Sequence, residues 1–324
     1  MRPRLLVTRR VFPEVLDALS GAFEIEANQD DAVWSADELR AKAAGCDALY
    51  VVASDRVDAA LLDACPRLRI VATGSVGYNH VDVPACVARG IRVTNTPDVL
   101  TEATADMAWA LLMATARRVT ESERWLREGH WGRWAWDQFL GADVHGATLG
   151  IVGMGRIGSA IARRAGGFSM TLLYSNRSDS PNAAALGAER VPLDALLAHA
   201  DHVVLVLPYS PQTHHTIGER ELALMKPTAT LVNIARGGIV DDAALARALR
   251  DGRIAAAGLD VYENEPAVHP ALLEVPNVVL TPHIGSATRS TRLGMAMLAA
   301  RNLLAFVAGE ALPTPVDAVP PRTA

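Results

Sequence analysis

The sequence predicts an α/β protein built from two doubly wound parallel-sheet domains. Three observations support this fold class. Short apolar segments alternate with helical patterns along nearly the whole chain, which is typical of parallel sheets covered by helices. The alternation occurs twice, before and after a long helical pattern that begins at Thr101. Finally, 324 residues exceed what one hydrophobic core usually supports, so two domains are expected.

The first hundred residues contain five candidate strands, at residues 4–8, 23–27, 48–53, 69–73 and 91–94. Helical patterns fall between these strands, for instance over 36–44 and 58–64. The turn Thr96-Pro97-Asp98 ends the alternation, and a long helical pattern follows from Thr101 to about Glu128. We expect the first domain to be a flavodoxin-like sheet.

The second alternation contains six candidate strands, at residues 149–152, 171–174, 202–207, 230–234, 255–259 and 277–280. Six parallel strands with intervening helices make a complete Rossmann domain. Only about 40 residues follow the last strand, too few for another domain, and they hold a helical pattern over 287–307. We therefore expect residues 1–99 and 285–324 to form one discontinuous domain, and residues 100–284 to form the second, Rossmann-type domain.

A glycine motif, Gly153-x-Gly155-x-x-Gly158, joins the first strand of the second alternation to a helical pattern. The first glycine permits a tight turn, the second lets backbone approach a pyrophosphate, and the third allows close packing of helix on strand. This strand–turn–helix context predicts a nucleotide-binding turn. Its expected contact residues are Gly153, Met154, Gly155, Arg156, Ile157 and Gly158.

The end of the next strand indicates which cofactor is bound. NAD-binding units place Asp or Glu about 20 residues after the glycines, to bond the ribose hydroxyls. Here Ser175 is followed by neutral Asn176, then by Arg177 and Ser178, which can bind a 2′-phosphate. We therefore predict NADPH as the cofactor, with NADH as a weaker alternative. The alternative that Arg177 is only a solvated turn residue, and that both cofactors bind equally well, stays open. Arg163 and Arg164 are weaker candidates for binding the 2′-phosphate.

Charged side chains follow three later strands of this domain. Arg236 follows the fourth strand, Asp260 follows the fifth with Glu263 and Glu265 behind it, and His283 follows the sixth. Open α/β sheets bind ligands at the carboxyl ends of their strands. The convergence of a cation, carboxylates and an imidazole on one sheet edge therefore predicts a catalytic site there.

Composition excludes several other classes of protein. A formal net charge of −5 with interspersed signs gives no basic face for nucleic acid. No apolar run approaches the ~20 residues of a membrane helix, and the N-terminus lacks a signal-peptide pattern. The three cysteines lack metal-type spacing and are expected to be buried, reduced thiols of a cytoplasmic protein. They are Cys46, Cys65 and Cys86.

Taken together, these motifs resemble the D-isomer-specific 2-hydroxyacid dehydrogenases. The glycine motif, Asn233-Ile-Ala-Arg236-Gly, Gly258-Leu-Asp260-Val, Glu265-Pro266 and Pro282-His283-Ile-Gly-Ser-Ala occur in that family's order and spacing. Within the family, the chain is most similar to the glyoxylate/hydroxypyruvate reductases that also reduce 2-ketogluconate. Further stretches support this branch: Ser75-Val76-Gly77-Tyr78-Asn79, Asp143-Val-His145, Leu207-Pro208 and Thr213-His214-His215.

The resemblance implies that residues 1–99 and 285–324 bind substrate, that residues 100–284 bind the dinucleotide, and that the active site lies in the cleft between the two domains. It also implies residue roles that the chemistry makes reasonable. Reduction of a 2-oxo acid needs a proton donor near the carbonyl oxygen, and His283 suits this role because imidazoles titrate near neutral pH. Glu265 would hold the other ring nitrogen, and Arg236 would bind the substrate carboxylate and polarise the ketone. Further substrate contacts are expected from Ser75, Val76 and Gly77. Further cofactor contacts are expected from Leu207, Pro208, Thr213, Ile234, Ala235, Asp260 and Gly285.

Other conspicuous residues receive less specific predictions. We expect no metal site, because His145, His214 and His215 have no Cys or carboxylate at ligand spacing, and Glu263 is expected to face solvent. The tryptophans Trp131, Trp134 and Trp136 are expected to pack in a core or at an interface. A homodimer through the segment from Thr101 to Glu128 and these tryptophans is expected, with Trp134 or Trp136 at the dimer contact. The family resemblance implies that this tryptophan segment reaches the mouth of the partner's active site.

Two functional classes remain at this point. One is a reductase of small 2-oxo acids, with D-lactate and phosphoglycerate dehydrogenases as alternatives within the same class. The other is a nucleotide-sensing regulatory or scaffold protein with the same fold. The sequence favours the enzyme, because Arg236, Glu265 and His283 are all present. It does not rank glyoxylate, hydroxypyruvate and 2-ketogluconate, since one methylene changes binding by only ~1–3 kcal/mol.

Overall fold

A computed structural model of the protein describes residues 2–316, which divide into two compact units. The first unit contains the residues up to Leu100 together with those from Thr288 onward, and the second unit is Thr101–Ala287. The predicted domain boundaries, at residues 99/100 and 284/285, lie within a few residues of these divisions. The last eight residues of the segment 285–324, which are residues 317–324, lie outside the described residues.

The first unit contains a sheet of five strands: β1 Arg4–Val7, β2 Glu24–Ala27, β3 Ala48–Val51, β4 Ile70–Thr73 and β5 Arg92–Thr94. The strand order is β2-β1-β3-β4-β5, and every pairing is parallel. This is the order of flavodoxin-like sheets, so the expected fold of this unit is confirmed.

Helices cover both faces of this sheet. Four of them are α1 Pro13–Ser20, α2 Ala36–Ala43, α3 Ala59–Ala64 and α4 Val83–Ala88, and the C-terminal helix is Arg289–Ala308. Leu5 and Val7 of β1 pack in one core with Ala299 and Leu303 of the C-terminal helix. Leu6, on the opposite face of β1, packs in the other core. The C-terminal helix therefore completes the core of the first unit.

The chain after the C-terminal helix returns to the edge of the sheet. The Val316 N–H donates to the Val93 carbonyl at 2.9 Å, and the Asn95 N–H donates to the Thr314 carbonyl at 3.2 Å. Fully buried Asn302 holds this segment, since its Oδ1 accepts from the Thr314 N–H at 3.0 Å. These bonds cover the edge strand β5, which would otherwise expose unpaired backbone groups.

The second unit contains seven strands: β6 Thr148–Val152, β7 Thr171–Ser175, β8 Ala188–Arg190, β9 His202–Leu205, β10 Thr230–Asn233, β11 Ala256–Leu259 and β12 Val278–Leu280. Their order is β12-β11-β10-β9-β6-β7-β8, with every pairing parallel. This is the Rossmann order, in which β8 is the third strand, with β12 added at the opposite edge of the sheet. The expectation of six strands was wrong, because β8 has only three residues and no buried one.

The helices of the second unit are α5 Thr101–Ala116, α6 Val119–Arg127, α7 Arg156–Ala165, α8 Leu193–His199, α9 Glu219–Leu224, α10 Asp242–Arg250 and α11 Pro270–Glu274. The single long helix predicted from Thr101 to about Glu128 is therefore two helices. Arg118 separates them with a left-handed backbone, at φ 52°. A residue with a side chain rarely adopts this conformation. Because the helical pattern continues on both sides of Arg118, the sequence did not reveal that the helix is interrupted there.

Two further features bear on the predictions from composition. Of the helices that the structure describes, none is both long enough and apolar enough to cross a membrane. Cys46, Cys65 and Cys86 are all buried in the core of the first unit, as expected. Burial raises the pKa of the Cys65 thiol to about 11, which keeps it in the protonated, unreactive form at neutral pH.

Candidate active site

The glycine turn between β6 and α7 has the geometry of a nucleotide-binding turn. Gly153 has φ +100°, and a Cβ there would lie 2.8 Å from the Leu207 backbone nitrogen. A Cβ at Gly158 would lie 2.6 Å from the Gly153 carbonyl oxygen, whereas a Cβ at Gly155 would meet open space. The N–H groups of Ile157 and Gly158 donate to no acceptor within residues 2–316. The turn therefore offers space and unpaired donors to a phosphate.

The turn after β7 places the predicted cofactor-selecting residues beside the glycine turn. The Met154 N–H donates to Asn176 Oδ1 at 2.7 Å, so the Asn176 side chain ties the two turns together. Arg177 and Ser178 are exposed, and within the described chain their side chains form no hydrogen bond or ion pair. Arg163 and Arg164, the weaker candidates, are both paired with Glu102, at 2.7 and 2.8 Å.

Several predicted cofactor residues line the ends of β9 and β10. Leu207 packs against Gly153, and the Thr213 hydroxyl closes the following loop, where it donates to the Pro208 carbonyl at 2.9 Å. Ile234 and Ala235 are buried after β10. These contacts account for the loop geometry, and the cofactor roles of the five residues stay predictions.

Arg236 projects from the loop after β10, and its Nη1 donates to the Ala235 carbonyl at 2.8 Å. Burial lowers the pKa of Arg236, while the charge of Glu265 acts in the opposite direction. The guanidinium of an arginine keeps its charge at neutral pH in proteins. The loop depends on Gly237, because a Cβ there would clash with the Tyr262 carbonyl oxygen, at 1.6 Å.

Glu265 and His283 form a hydrogen-bonded pair, in which His283 Nδ1 lies 2.7 Å from Glu265 Oε2. Glu265 Oε1 accepts from the Tyr262 N–H at 3.0 Å. Burial alone would raise the pKa of Glu265, but the hydrogen bond and charge of His283, the Tyr262 N–H and the charge of Arg236 outweigh it. The pKa is therefore below its ordinary value, and the carboxylate is ionised at neutral pH. An ionised carboxylate only accepts, so Nδ1 carries the proton in this pair.

Asp260 fixes the segment that carries His283. Its Oδ1 accepts from the Thr281 hydroxyl at 2.7 Å and from the Ile284 N–H at 2.8 Å, and its Oδ2 accepts from the Gly285 N–H at 2.7 Å. His283 lies between these anchors with φ +54°, a conformation that is costly for a residue with a side chain. Asp260 therefore positions the imidazole, a role that sequence reasoning missed.

Tyr262 is a second positioning residue that the sequence did not reveal. Its hydroxyl donates to the Thr281 carbonyl at 2.9 Å, which links the end of β11 to the end of β12. Burial is the main cause that raises its pKa to about 12, so the hydroxyl keeps its proton at neutral pH. A tyrosine after a buried strand carries no distinctive sequence signal, since most such aromatics only pack.

Residues 109–285 match the family model described as D-isomer specific 2-hydroxyacid dehydrogenase, NAD binding domain. The glyoxylate reductase of Thermococcus onnurineus is 52% identical over 322 residues, which cover 98% of this chain and 96% of that protein. The chain belongs to the D-isomer specific 2-hydroxyacid dehydrogenase family. The resemblance inferred from the motifs is thereby confirmed.

Solved structures agree with this family assignment. The TT0316 protein of Thermus thermophilus is 45% identical, with a TM-score of 0.90 over 97% of this chain and 99% of that chain. The NADPH-dependent glyoxylate/hydroxypyruvate reductase of Sinorhizobium meliloti, solved in complex with NADP and malonate, is 39% identical. Its TM-score is 0.87, and the match covers 100% of both chains.

In this 2-hydroxyacid dehydrogenase, the predicted substrate turn Ser75-Val76-Gly77 belongs to the first unit. Its three carbonyls accept hydrogen bonds: from the Thr96 N–H at 3.1 Å, from Asn95 Nδ2 at 2.8 Å and from the Ser75 hydroxyl at 2.7 Å. The N–H groups of Val76 and Gly77 donate to no acceptor in the part of the chain that the structure describes. The turn thus directs its carbonyls inward and leaves two donors for an anion.

The dehydrogenase contains a histidine cluster that contradicts one sequence-based argument. His214, His215 and Glu263 bring their ligand atoms within 4.8 Å of one another, and His215 Nε2 lies 3.0 Å from Glu263 Oε1. The statement that His214 and His215 have no carboxylate partner was wrong. The expectation that Glu263 faces solvent was also wrong, because its carboxylate contacts His215. The fold joins residues 48 positions apart, which spacing along the chain could not reveal. The imidazole rings of His214 and His215 stack, with centroids 3.8 Å apart and an interplanar angle of 22°.

The three tryptophans after α6 are exposed rather than packed in the core of the dehydrogenase. Trp131, Trp134 and Trp136 are 59%, 63% and 87% exposed. The rings of Trp134 and Trp136 lie 4.6 Å apart in an edge-to-face arrangement. Of the two expectations for these residues, core packing was therefore wrong, and an interface role stays a prediction.

Proposed function

We propose that this protein is an NADPH-preferring reductase of small 2-oxo acids, which it converts to D-2-hydroxy acids. Glyoxylate and hydroxypyruvate are the main candidate substrates, and 2-ketogluconate is a third. The observation that carries the proposal is the Glu265–His283 pair beside Arg236, at the carboxyl edge of the sheet in the family's NAD-binding domain. The relative named glyoxylate reductase supports the substrate class.

The proton donor in this proposal is His283. Glu265 occupies Nδ1, so Nε2 is the ring atom that would give its proton to the carbonyl oxygen of the substrate. The anionic carboxylate favours the protonated imidazole and sets the ring orientation. Asp260 and Tyr262 keep the two partners in register, because they join the ends of β11 and β12.

Arg236 is proposed to bind the substrate. A guanidinium presents a planar fork of donors that matches a carboxylate, and its charge also polarises the adjacent ketone. The N–H groups of Val76 and Gly77, which find no acceptor within residues 2–316, support the proposal that this turn of the first unit binds an anionic group of the substrate.

The nicotinamide cofactor would be held by the second unit. The open space at Gly155 and the N–H groups of Ile157 and Gly158, which find no acceptor in the described chain, fit a pyrophosphate. Reduced nicotinamide supplies the hydride in this chemistry. The exposed Arg177 and Ser178 are proposed to bind a 2′-phosphate, and the neutral Asn176 adds no repulsion.

A panel of 2-oxo acids tests the proposed activity. We expect glyoxylate and hydroxypyruvate to oxidise NADPH, followed as loss of absorbance at the band of the reduced cofactor, with a higher kcat/KM than with NADH. Cofactor binding without turnover of any 2-oxo acid would favour the nucleotide-sensing alternative instead.

The Glu265→Gln variant should shift the pH dependence of reduction to lower pH. Reduction needs the protonated imidazole, so activity falls as pH rises and the ring loses its proton. A neutral amide no longer stabilises that cation, hence the decline begins at lower pH. The measurement is kcat/KM for glyoxylate in both proteins, across a pH range of about two units on each side of an ordinary imidazole pKa. An unchanged profile removes Glu265 from this role.

We also propose a homodimer that forms through the exposed tryptophans. Large exposed apolar side chains mark interfaces, and two-fold dimers are the commonest soluble assembly. Trp136→Asp should convert the dimer to a monomer in sedimentation velocity at micromolar concentration. Leu273→Asp is the matched control, since Leu273 is 65% exposed elsewhere in the same unit. A monomeric parent protein refutes the proposal. A cytoplasmic location stays a prediction.

A further inference from the structure

We propose that Arg190 is a positioning residue for cofactor selection, because it orients the turn formed by Asn176, Arg177 and Ser178. This inference rests on the proposed preference for NADPH. Arg190 ends β8, the edge strand that sequence reasoning missed. It lies next to β7, whose end begins the turn.

The Arg190 guanidinium contacts three acceptors of the turn and its flank. Its Nη2 donates to the Asn176 carbonyl at 2.9 Å and to the Arg177 carbonyl at 2.8 Å. Its Nη1 donates to Asp179 Oδ1 at 3.0 Å. An isolated exposed ion pair contributes little, but one planar group shared among three acceptors fixes their relative orientation.

The direction of these carbonyls determines the direction of the amides. In a trans peptide, the N–H of the next residue points away from the carbonyl. With the carbonyls of Asn176 and Arg177 turned towards Arg190, the N–H groups of Arg177 and Ser178 point to the opposite side. Neither N–H donates to an acceptor within residues 2–316. Arg190 thus presents two unpaired backbone donors beside the Arg177 and Ser178 side chains.

The opposite border of the turn is held as well. Asn176 Oδ1 accepts from the Met154 N–H of the glycine turn at 2.7 Å. The turn is therefore anchored to the phosphate-binding loop on one side and to Arg190 on the other. An array of two amides, a hydroxyl and a guanidinium is a site for a dianionic phosphate group. Arg190 also pairs with Asp179, which would otherwise repel that phosphate.

Direct binding of NADP⁺ and NAD⁺ in the absence of substrate tests this inference. Isothermal titration should give an affinity for NADP⁺ that is about tenfold weaker in Arg190→Ala, because the two hydrogen bonds that hold the turn are lost. The affinity for NAD⁺ should change little. The control is Arg220→Ala, which removes a comparable exposed arginine paired with Asp194 and Glu221.

Two further variants separate orientation from charge. The double variant with Asp179→Ala and Arg190→Ala should still bind NADP⁺ weakly, because no guanidinium then orients the carbonyls of Asn176 and Arg177. Arg190→Lys should recover only part of the affinity, because an ammonium lacks the planar fork. Full recovery in the double variant would overturn orientation as the cause. If the parent protein prefers NADP⁺ and Arg190→Ala keeps the same preference, the positioning role of Arg190 is refuted while the proposed cofactor stands. If the parent protein shows no preference, the proposed cofactor preference is refuted, and the role of Arg190 with it.

Discussion

Replacing His283 with alanine should lower kcat for 2-oxo acid reduction by about 10²–10⁴-fold, the usual effect of losing a general acid. The imidazole is the group that Glu265 holds at 2.7 Å, and the variant leaves the carboxylate without a proton donor to orient. The glycine turn and the turn after β7 do not depend on this side chain. Affinity for NADPH in the binary complex should therefore change little.

Three measurements decide this prediction. Steady-state kinetics with glyoxylate gives kcat, fluorescence titration gives the cofactor affinity, and thermal unfolding confirms that the fold is intact. His199→Ala is the matched control, because His199 is an exposed histidine on α8 of the same unit. A His283→Ala protein that keeps most of its kcat near neutral pH contradicts the assignment of the proton donor.

The sequence revealed those parts of the site that depend on local pattern. Three glycines between an apolar strand and a helix determine the tight turn proposed to bind phosphate, because each glycine has a backbone reason to be there. The sequence could predict that Arg236, Glu265 and His283 lie close together, because parallel strands end at the same sheet edge. The fold class followed from the same alternation of apolar segments and helical patterns.

The parts that were missed depend on tertiary contacts. The edge strand β8 is too short and exposed to show periodicity, so nothing in the sequence drew attention to Arg190. The His215–Glu263 contact joins two loops that lie far apart in the chain. Likewise, the hydrogen bonds of Asp260 join the end of β11 to the segment after β12. Such long-range partners leave no spacing signal in one sequence.

Replacing Arg177 with alanine should reduce kcat/KM for NADPH by roughly ten- to hundredfold and leave kcat/KM for NADH nearly unchanged. A hydrogen bond to a charged group contributes ~1.5–3 kcal/mol, which corresponds to that range. Only NADPH carries the 2′-phosphate, so the loss should be confined to it. The Arg177 guanidinium has no partner within residues 2–316, hence its removal breaks no contact of the fold.

Arg163→Ala supplies the comparison for this variant. Arg163 is another basic residue of the cofactor domain, but its guanidinium is bound to Glu102 at 2.7 Å. We expect its replacement to leave the affinities for both cofactors unchanged. Since an exposed arginine with no partner in the described chain can bind a phosphate without first breaking an ion pair, Arg177 should account for more of the discrimination than Arg163. Equal losses with both cofactors in Arg177→Ala, or a parent protein that prefers NADH, would refute Arg177 as the residue that selects the cofactor.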